Sequence, residues 1–141
     1  MAETEVPRPL PKPTTATEGF WEAARKNELA IQRCSACDAY RHYPQAMCPG
    51  CHSLEWEWTP VSGRGVIHSY TVAHQPFHPH WADKVPYVLA TIELEEGVRM
   101  VDDMLDLDPE EVRIGLPVEV YFEPVSDEIT FPKFRVTSGG N

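Results

Sequence analysis

Cys34-Ser35-Ala36-Cys37 and, after ten intervening residues, Cys48-Pro49-Gly50-Cys51 are the two stretches that decide the fold of this chain. Each Cys-x2-Cys pair forms a tight knuckle that directs two thiolates at one ion. Two such pairs complete the tetrahedron that zinc prefers, with about 2.3 Å from the metal to each sulfur. Because four thiolates leave no position for water or substrate, the pattern predicts one structural zinc ion in a small ribbon, and no catalytic metal.

Three other interpretations of the cysteines are weaker. A thiol redox pair needs a strand-to-helix context of the thioredoxin kind, which neither pair has. His52 could replace a neighbouring cysteine as a ligand, although four thiolates are already present. Disulfides require an oxidising compartment, whereas the first residues, MAETEVPRPLPKP, lack the apolar stretch of a signal peptide and no run reaches the roughly 20 apolar residues of a membrane span. We therefore expect a cytoplasmic protein that does not bind membranes.

The residues before the ribbon predict a tail and a short helix. Residues 1–16 are rich in proline and lack apolar periodicity, so we expect a flexible tail. Thr17 is a candidate helix N-cap, and Phe20, Trp21 and Ala24 would share one face of an amphipathic helix that ends near Asn27. This face could pack on the ribbon as core or could contact a partner protein. Residues 17–58 are predicted to form the helix and the ribbon.

Residues 59–137 predict a β-barrel, and residues 138–141 a disordered tail. Trp56 and Trp58, which follow the ribbon two residues apart, should share one face of a strand, and they are interpreted as core residues and not as a binding platform. The segment that follows contains five strand patterns and a capped turn at Asp108–Val112, with Pro132 implying an edge or a bulge in the last strand. The five strands are predicted at Val66–Val72, Tyr87–Leu94, Val98–Leu105, Val118–Phe122 and Ile129–Val136. The chain is therefore predicted to be mainly β, with a five-stranded barrel of the OB type.

Charge is distributed unevenly along the chain. Residues 1–53 carry six Lys and Arg against six Asp and Glu, whereas residues 54–141 carry six against sixteen, which is the whole net charge of −10. Nucleic-acid affinity comes largely from Lys and Arg that displace counterions from phosphates. Although the barrel has aromatic residues that could stack on bases, its charge disfavours the alternative of an OB module that binds single-stranded nucleic acid.

The loop between the first two barrel strands is a candidate contact surface. Apolar aromatics in a loop need cover, either from a partner or from the barrel itself. A second metal site formed by His74, His78 and His80 is conceivable but disfavoured. Pro76 and Pro79 prescribe an extended backbone instead of a helical face. The candidate residues are His74, Phe77, His78, His80, Trp81 and Lys84.

The titratable residues of the predicted strands do not suggest a catalytic centre. Asp102 and Asp103 are adjacent in a strand, so their side chains should point to opposite faces, which predicts a solvated edge and not an acid/base pair. His42 and His68 lack an evident acid or nucleophile partner and are interpreted as structural or exposed. We therefore predict no catalytic residue.

Taken in order, these features resemble the DUF35 family, in which a helix and a rubredoxin-like zinc ribbon precede an OB-fold. The resemblance covers about residues 17–137. It is carried by Phe20-Trp21, Leu29–Arg33, the two Cys-x2-Cys pairs, Gly65-x3-Ser69-Tyr70-Thr71, Gly115-x2-Val118-x-Val120 and Phe122-Glu123.

The family resemblance implies a function in lipid metabolism. Members of the DUF35 family accompany thiolase-fold enzymes that act on acyl-CoA. Examples are a thiolase-like retro-aldolase of steroid side-chain degradation and an archaeal thiolase and synthase assembly. It implies a non-catalytic subunit that contacts such an enzyme and assists with acyl-CoA; the alternative within this class is a subunit that contributes residues to a shared aldolase or hydratase site. The expected partner or ligand contacts are Phe20, Trp21, His74, Phe77, His78 and Trp81.

Overall fold

The computed structural model describes residues 9–76 and 78–137, so the start of the predicted tail (1–8), the predicted contact Phe77 and the predicted tail 138–141 lie outside the described residues. The described residues are mainly β with one α-helix, as the sequence predicts. Its elements are α1 (Glu18–Arg25), β1 (Ala30–Cys34), β2 (Tyr40–Arg41), β3 (Trp56–Pro60), β4 (Arg64–Ala73), a 3-10 turn (Pro79–Trp81), β5 (Tyr87–Leu94), β6 (Arg99–Met104), β7 (Pro117–Pro124) and β8 (Thr130–Val136).

Helix α1 is short and begins one residue after the predicted cap. Thr17 occupies the N-cap position, but its hydroxyl accepts the backbone N–H of Thr14 (2.9 Å) and makes no cap bond to the helix. The chain leaves the helix through Asn27, which has a left-handed φ of 62°. Phe20 and Ala24 are buried on the inner face. Within the described residues, no helix has both the length and the apolar character needed to span a bilayer.

Gly19 allows α1 to pack closely against the ribbon, and we expect Gly19→Ala to destabilise the protein. Alanine normally favours a helix by about 1 kcal/mol, but a Cβ at position 19 would lie 2.1 Å from Nε1 of Trp58. Because the indole or the helix must then shift, we expect a net loss of about 1–3 kcal/mol in urea denaturation. Glu22→Ala, at an exposed position of α1, is the control. Equal stability of the two variants would contradict this packing argument.

The ribbon is a three-stranded antiparallel sheet in the order β2-β1-β3. Cys34, at the end of β1, pairs with Trp56 at the start of β3, and Gln32 pairs with Trp58. The guanidinium of Arg41 lies 5.5 Å from the centre of the Trp56 ring. Trp58 packs against the main core. Trp56 therefore covers the ribbon, and Trp58 joins the ribbon to the barrel.

The barrel is built from the five predicted strands, in the antiparallel order β6-β5-β4-β7-β8. Burial in β5 alternates regularly, with Val88, Ala90, Ile92 and Leu94 facing inward. Strand β4 has an irregular register between Ile67 and Ser69, and it pairs with β7 only at its first three residues. Strand β8 lies at the end of the sheet order, which agrees with the edge predicted from Pro132. Asp108 accepts the N–H of Glu110 (2.9 Å) and begins a turn that does not continue as a helix.

The outer strands β6 and β8 are joined through side chains, and the hydrogen-bonded sheet itself stays open. Lys133 of β8 bonds to both Asp102 (2.7 Å) and Asp103 of β6. The interpretation of Asp102 and Asp103 as a solvated edge was therefore wrong. Lys133 approaches along the edge of β6, where it reaches the inward carboxylate of Asp102 and also the backbone oxygen of Asp103 (2.7 Å).

Within the part of the chain that the structure describes, one apolar core runs through the ribbon and the barrel. Ribbon and helix residues contact barrel residues within one buried cluster, so the two parts are expected to be stabilised together. The cluster contains Phe20, Leu29, Ile31, Ile67, Val88, Ala90, Ile92, Leu94, Val98, Met100, Met104, Val112, Leu116, Val118 and Phe134.

Candidate functional site

The two cysteine pairs converge on one point. Their four sulfurs all lie within 4.8 Å of one another. The Sγ atoms of Cys34 and Cys51 are 3.5 Å apart, and those of Cys37 and Cys48 are 3.7 Å apart. A zinc ion bonded to four sulfurs at about 2.3 Å places them about 3.8 Å apart. The donor set and its dimensions therefore fit zinc.

The two knuckles have the same backbone construction. After each pair the chain turns through a left-handed residue, Asp38 or His52, each with a φ of 67°. The N–H of Asp38 donates to the carbonyl of Cys34, and that of His52 to the carbonyl of Cys48, both at 2.9 Å. His52 thus closes its knuckle through its backbone, and the group of candidate ligands among the described residues consists of the four cysteines.

Backbone N–H groups favour the thiolate form at the first cysteine of each pair. Those of Cys37 and Ala36 donate to the sulfur of Cys34 (3.5 and 3.4 Å) and lower its pKa. Hydrogen bonds from the backbone of Cys51 and Gly50 lower the pKa of Cys48 to about 6. Because a metal binds thiolates and not thiols, the first cysteine of each knuckle is prepared to bind a cation.

The three histidines of the loop between β4 and β5 are arranged differently from the four cysteines. Nδ1 of His78 accepts the backbone N–H of His80 (3.0 Å) and so caps the 3-10 turn. The ring of His80 packs edge-on against Trp81, with centres 4.8 Å apart. His74 is exposed. Within residues 9–76 and 78–137, these histidines do not come together as a second group of metal ligands.

A large cleft lies where helix, ribbon and barrel meet, and we call it the aromatic cleft. Its volume is about 580 Å³, within the range of about 300–1,000 Å³ typical of small-molecule sites. Helix α1, the segment after β2, the loop before β5 and strands β5, β6 and β8 form its walls. The lining includes Phe20, Trp21, His42, Tyr43, His78, Trp81, Leu89, Met100, Val101, Asp102, Asp103, Phe131 and Lys133.

The aromatic cleft brings together four of the six predicted contact residues. Phe20, Trp21, His78 and Trp81 all line it, although they come from segments about 60 positions apart in the chain. Phe20 is only 7% exposed and belongs to the core, so it contributes mainly to the wall. Trp21 packs edge-on against Phe20 (5.0 Å) and Phe131 (5.8 Å). His74 is not among the lining residues.

The floor of the aromatic cleft holds a closed polar cluster of Asp102, Asp103 and Lys133, which we call the lysine cluster. The ammonium of Lys133 donates to Asp102 Oδ1, to the backbone oxygen of Asp103 and to Asp103 Oδ1. The remaining carboxylate oxygens accept the N–H of Phe134 (2.9 Å) and the indole N–H of Trp81 (3.3 Å). All three hydrogens of the ammonium are thus used within the cluster, and Trp81 is tied to it.

Burial changes the titration of the lysine cluster. Burial, with a smaller contribution from the nearby Asp103 carboxylate, raises the pKa of Asp102 to about 6 against the opposing effect of the Lys133 ammonium. For Lys133, burial alone would lower the pKa, but the two carboxylates outweigh it and raise the pKa. Lys133 is therefore charged at neutral pH and is not available as a nucleophile.

Lys133 was missed by the sequence reasoning. The sequence does contain a signal, since Lys133 follows Phe131 and Pro132 and precedes Phe134, and a lone lysine in an apolar strand needs a buried partner.

His42 was judged structural or exposed, and it is largely buried. Its pKa is lowered to about 4 by burial, so the ring is neutral where it packs against Phe20 (5.4 Å) and Tyr43 (4.3 Å).

Comparison with protein-family models divides the chain into two matching parts. Residues 21–57 match the rubredoxin-like zinc ribbon domain of ChsH2. Residues 58–123 match the C-terminal OB-fold domain of ChsH2. The predicted fold of a four-cysteine zinc ribbon followed by an OB-fold is thereby confirmed.

Three relatives illustrate the similarity. A probable enoyl-CoA hydratase alpha subunit of Thermomonospora curvata is 41% identical over 91% of this chain, which spans only 40% of that protein's length. A DUF35 domain-containing scaffold protein of Methanothermobacter thermautotrophicus is 35% identical over 81% of this chain and 86% of its own length. A chain of the solved Ltp2-ChsH2(DUF35) aldolase is 39% identical, with a TM-score of 0.79, over 90% of this chain and 98% of that chain.

Proposed function

This chain belongs to the DUF35 family, and on that premise we propose that it is a non-catalytic accessory subunit of an enzyme that acts on acyl-CoA thioesters. The observation that carries the proposal is the similarity, over nearly the whole of both chains, to a chain of the solved Ltp2-ChsH2(DUF35) aldolase. The partner would have the thiolase fold, and the pair would act in lipid metabolism in the cytoplasm. The proposed zinc content is one structural ion per chain, held by Cys34, Cys37, Cys48 and Cys51.

The chemistry of the aromatic cleft favours an accessory function over catalysis. Lys133 is charged and spends its hydrogens on Asp102 and Asp103. His42 is neutral, with a buried Nδ1 that has no hydrogen-bond partner among the described residues. Among the described residues, neither side chain is hydrogen-bonded to a serine, threonine or cysteine that it could activate.

We expect the chain to be inactive alone and active as part of a pair. A tagged chain purified from its native source should retain a thiolase-fold enzyme, which mass spectrometry would identify. After recombinant production of both proteins, acyl-CoA turnover by the pair should exceed that of either component by about tenfold or more. The controls are each protein alone at the same concentration. Turnover by the purified chain alone, or equal turnover by the enzyme with and without the chain, would contradict the proposal.

A further inference from the structure

We propose that the aromatic cleft binds the uncharged acyl body of an acyl thioester and leaves the phosphates of CoA outside. That the ligand is an acyl thioester rests on the proposed function. That it is apolar and uncharged follows from the cleft itself.

The size and walls of the aromatic cleft suit a small molecule. A volume of about 580 Å³ accommodates a ring system or a medium-length chain, and apolar walls with a few polar groups are typical of ligand pockets. Val101 on the wall is 45% exposed although it is a strand valine, and Tyr43 is also exposed. Apolar side chains left open around a concave surface indicate that another molecule covers them.

The charges of the aromatic cleft disfavour an anion. Lys133 lines the aromatic cleft, but the Lys133 ammonium is already shared between two carboxylates. A phosphate placed there would meet Asp102 and Asp103, and the described lining residues include no Lys or Arg besides Lys133. The whole chain also carries a net charge of −10. The nucleotide part of CoA must therefore be held elsewhere, on the partner enzyme or in solvent.

The aromatic walls are held in place before any ligand arrives. The indole of Trp81 is fixed by its bond to Asp103 (3.3 Å), and the loop behind it is tied by Lys84, whose ammonium donates to the carbonyl of His80 (3.0 Å). Trp21 is supported by the rings of Phe20 and Phe131. A preformed apolar wall loses little conformational entropy on binding, which favours an apolar ligand of defined shape.

The test compares three probes on the chain alone by isothermal titration calorimetry. Decanoyl-CoA carries both the acyl chain and the phosphates, decanoyl-pantetheine carries the acyl thioester without charge, and free CoA carries the phosphates without the acyl chain. We expect the two acyl probes to bind with dissociation constants within about threefold of each other, and free CoA to bind at least about 100-fold more weakly.

Two variants locate the binding. Val101→Arg places a long charged side chain at the aromatic cleft and should weaken both acyl probes by at least about tenfold. Val66→Arg makes the same change at a strand valine of similar exposure, 41%, outside the cleft lining, and should leave binding unchanged. Because both positions are exposed, both variants should fold, which thermal unfolding would verify.

Each remaining outcome overturns the inference. Binding of free CoA as tight as that of decanoyl-CoA would place the binding energy in the phosphates. Equal binding by Val101→Arg and the wild type would place the acyl chain elsewhere. If neither acyl probe bound the chain, but Val101→Arg blocked assembly with the partner, the aromatic cleft would be a protein contact. Because the titrations use the chain alone, their failure is distinct from failure to find a partner enzyme.

Discussion

Replacing Cys48 by serine is expected to unfold the ribbon and to lower the melting temperature of the whole chain by about 10 °C or more. Cys48 is a buried member of the four-cysteine cluster. Loss of one thiolate breaks the closed coordination shell whose binding energy folds a ribbon of this size. Because Leu29 and Ile31 of the ribbon belong to the same core as the barrel, the barrel loses stability as well.

The measurement is thermal unfolding by circular dichroism, together with elemental analysis of the purified protein. Wild-type protein should contain about one zinc per chain, and Cys48→Ser should contain markedly less. Ser35→Ala, at an exposed position within the first knuckle, is the control and should keep both metal and stability. A variant with all four cysteines replaced by serine that melted at the wild-type temperature would show that the metal does not stabilise this fold.

The second large effect is expected for Lys133→Met, which should lower the free energy of unfolding by about 3–5 kcal/mol. Lys133 is only 5% exposed and links the outer strands β6 and β8. Methionine keeps most of the side-chain volume but leaves two carboxylates buried without their cation, and this is the costly part of breaking a buried ion pair. The barrel would then be held at this seam mainly by the bond from the N–H of Phe134 to Asp102 (2.9 Å).

Urea denaturation of matched variants tests this interpretation. Arg135→Met removes a cation from the same strand, where Arg135 pairs with the partly exposed Glu119 (3.2 Å), so it should lose no more than about 1 kcal/mol. Adding Asp102→Asn to Lys133→Met should restore part of the loss, because it removes an uncompensated carboxylate. If Lys133→Met were no less stable than Arg135→Met, the lysine cluster would not be what joins the two strands.

Local pattern was sufficient to predict the elements. In β5, a run of strand-forming residues between turn signals predicted the bounds Tyr87–Leu94, which the structure has. The turn that begins at Asp108 was also signalled locally, because an aspartate side chain followed by Pro109 predisposes the backbone to bend. Such features depend on neighbours within a few residues, so they can be inferred without the fold.

The error at Asp102 and Asp103 has a different origin. Alternation of side chains along β6 was correctly inferred, but the conclusion of a solvated edge assumed that water lies beside that strand. Lys133, about 30 positions later in the chain, occupies the place instead. Which strand closes against β6 depends on the curvature of the whole sheet, and the composition of β6 contains no information about it.

The sequence by itself determined the zinc ribbon, the five strands of the barrel and their order along the chain, because Cys-x2-Cys spacing and side-chain alternation act over a few residues. Only the tertiary structure decided that Trp21, His42, Trp81 and Lys133 share one cleft. These residues lie far apart in sequence, and their meeting depends on how helix, ribbon and barrel pack around a common core. The physical reason is that local patterns specify which face of an element is apolar, whereas the choice of the element that covers it is made by packing among all of them.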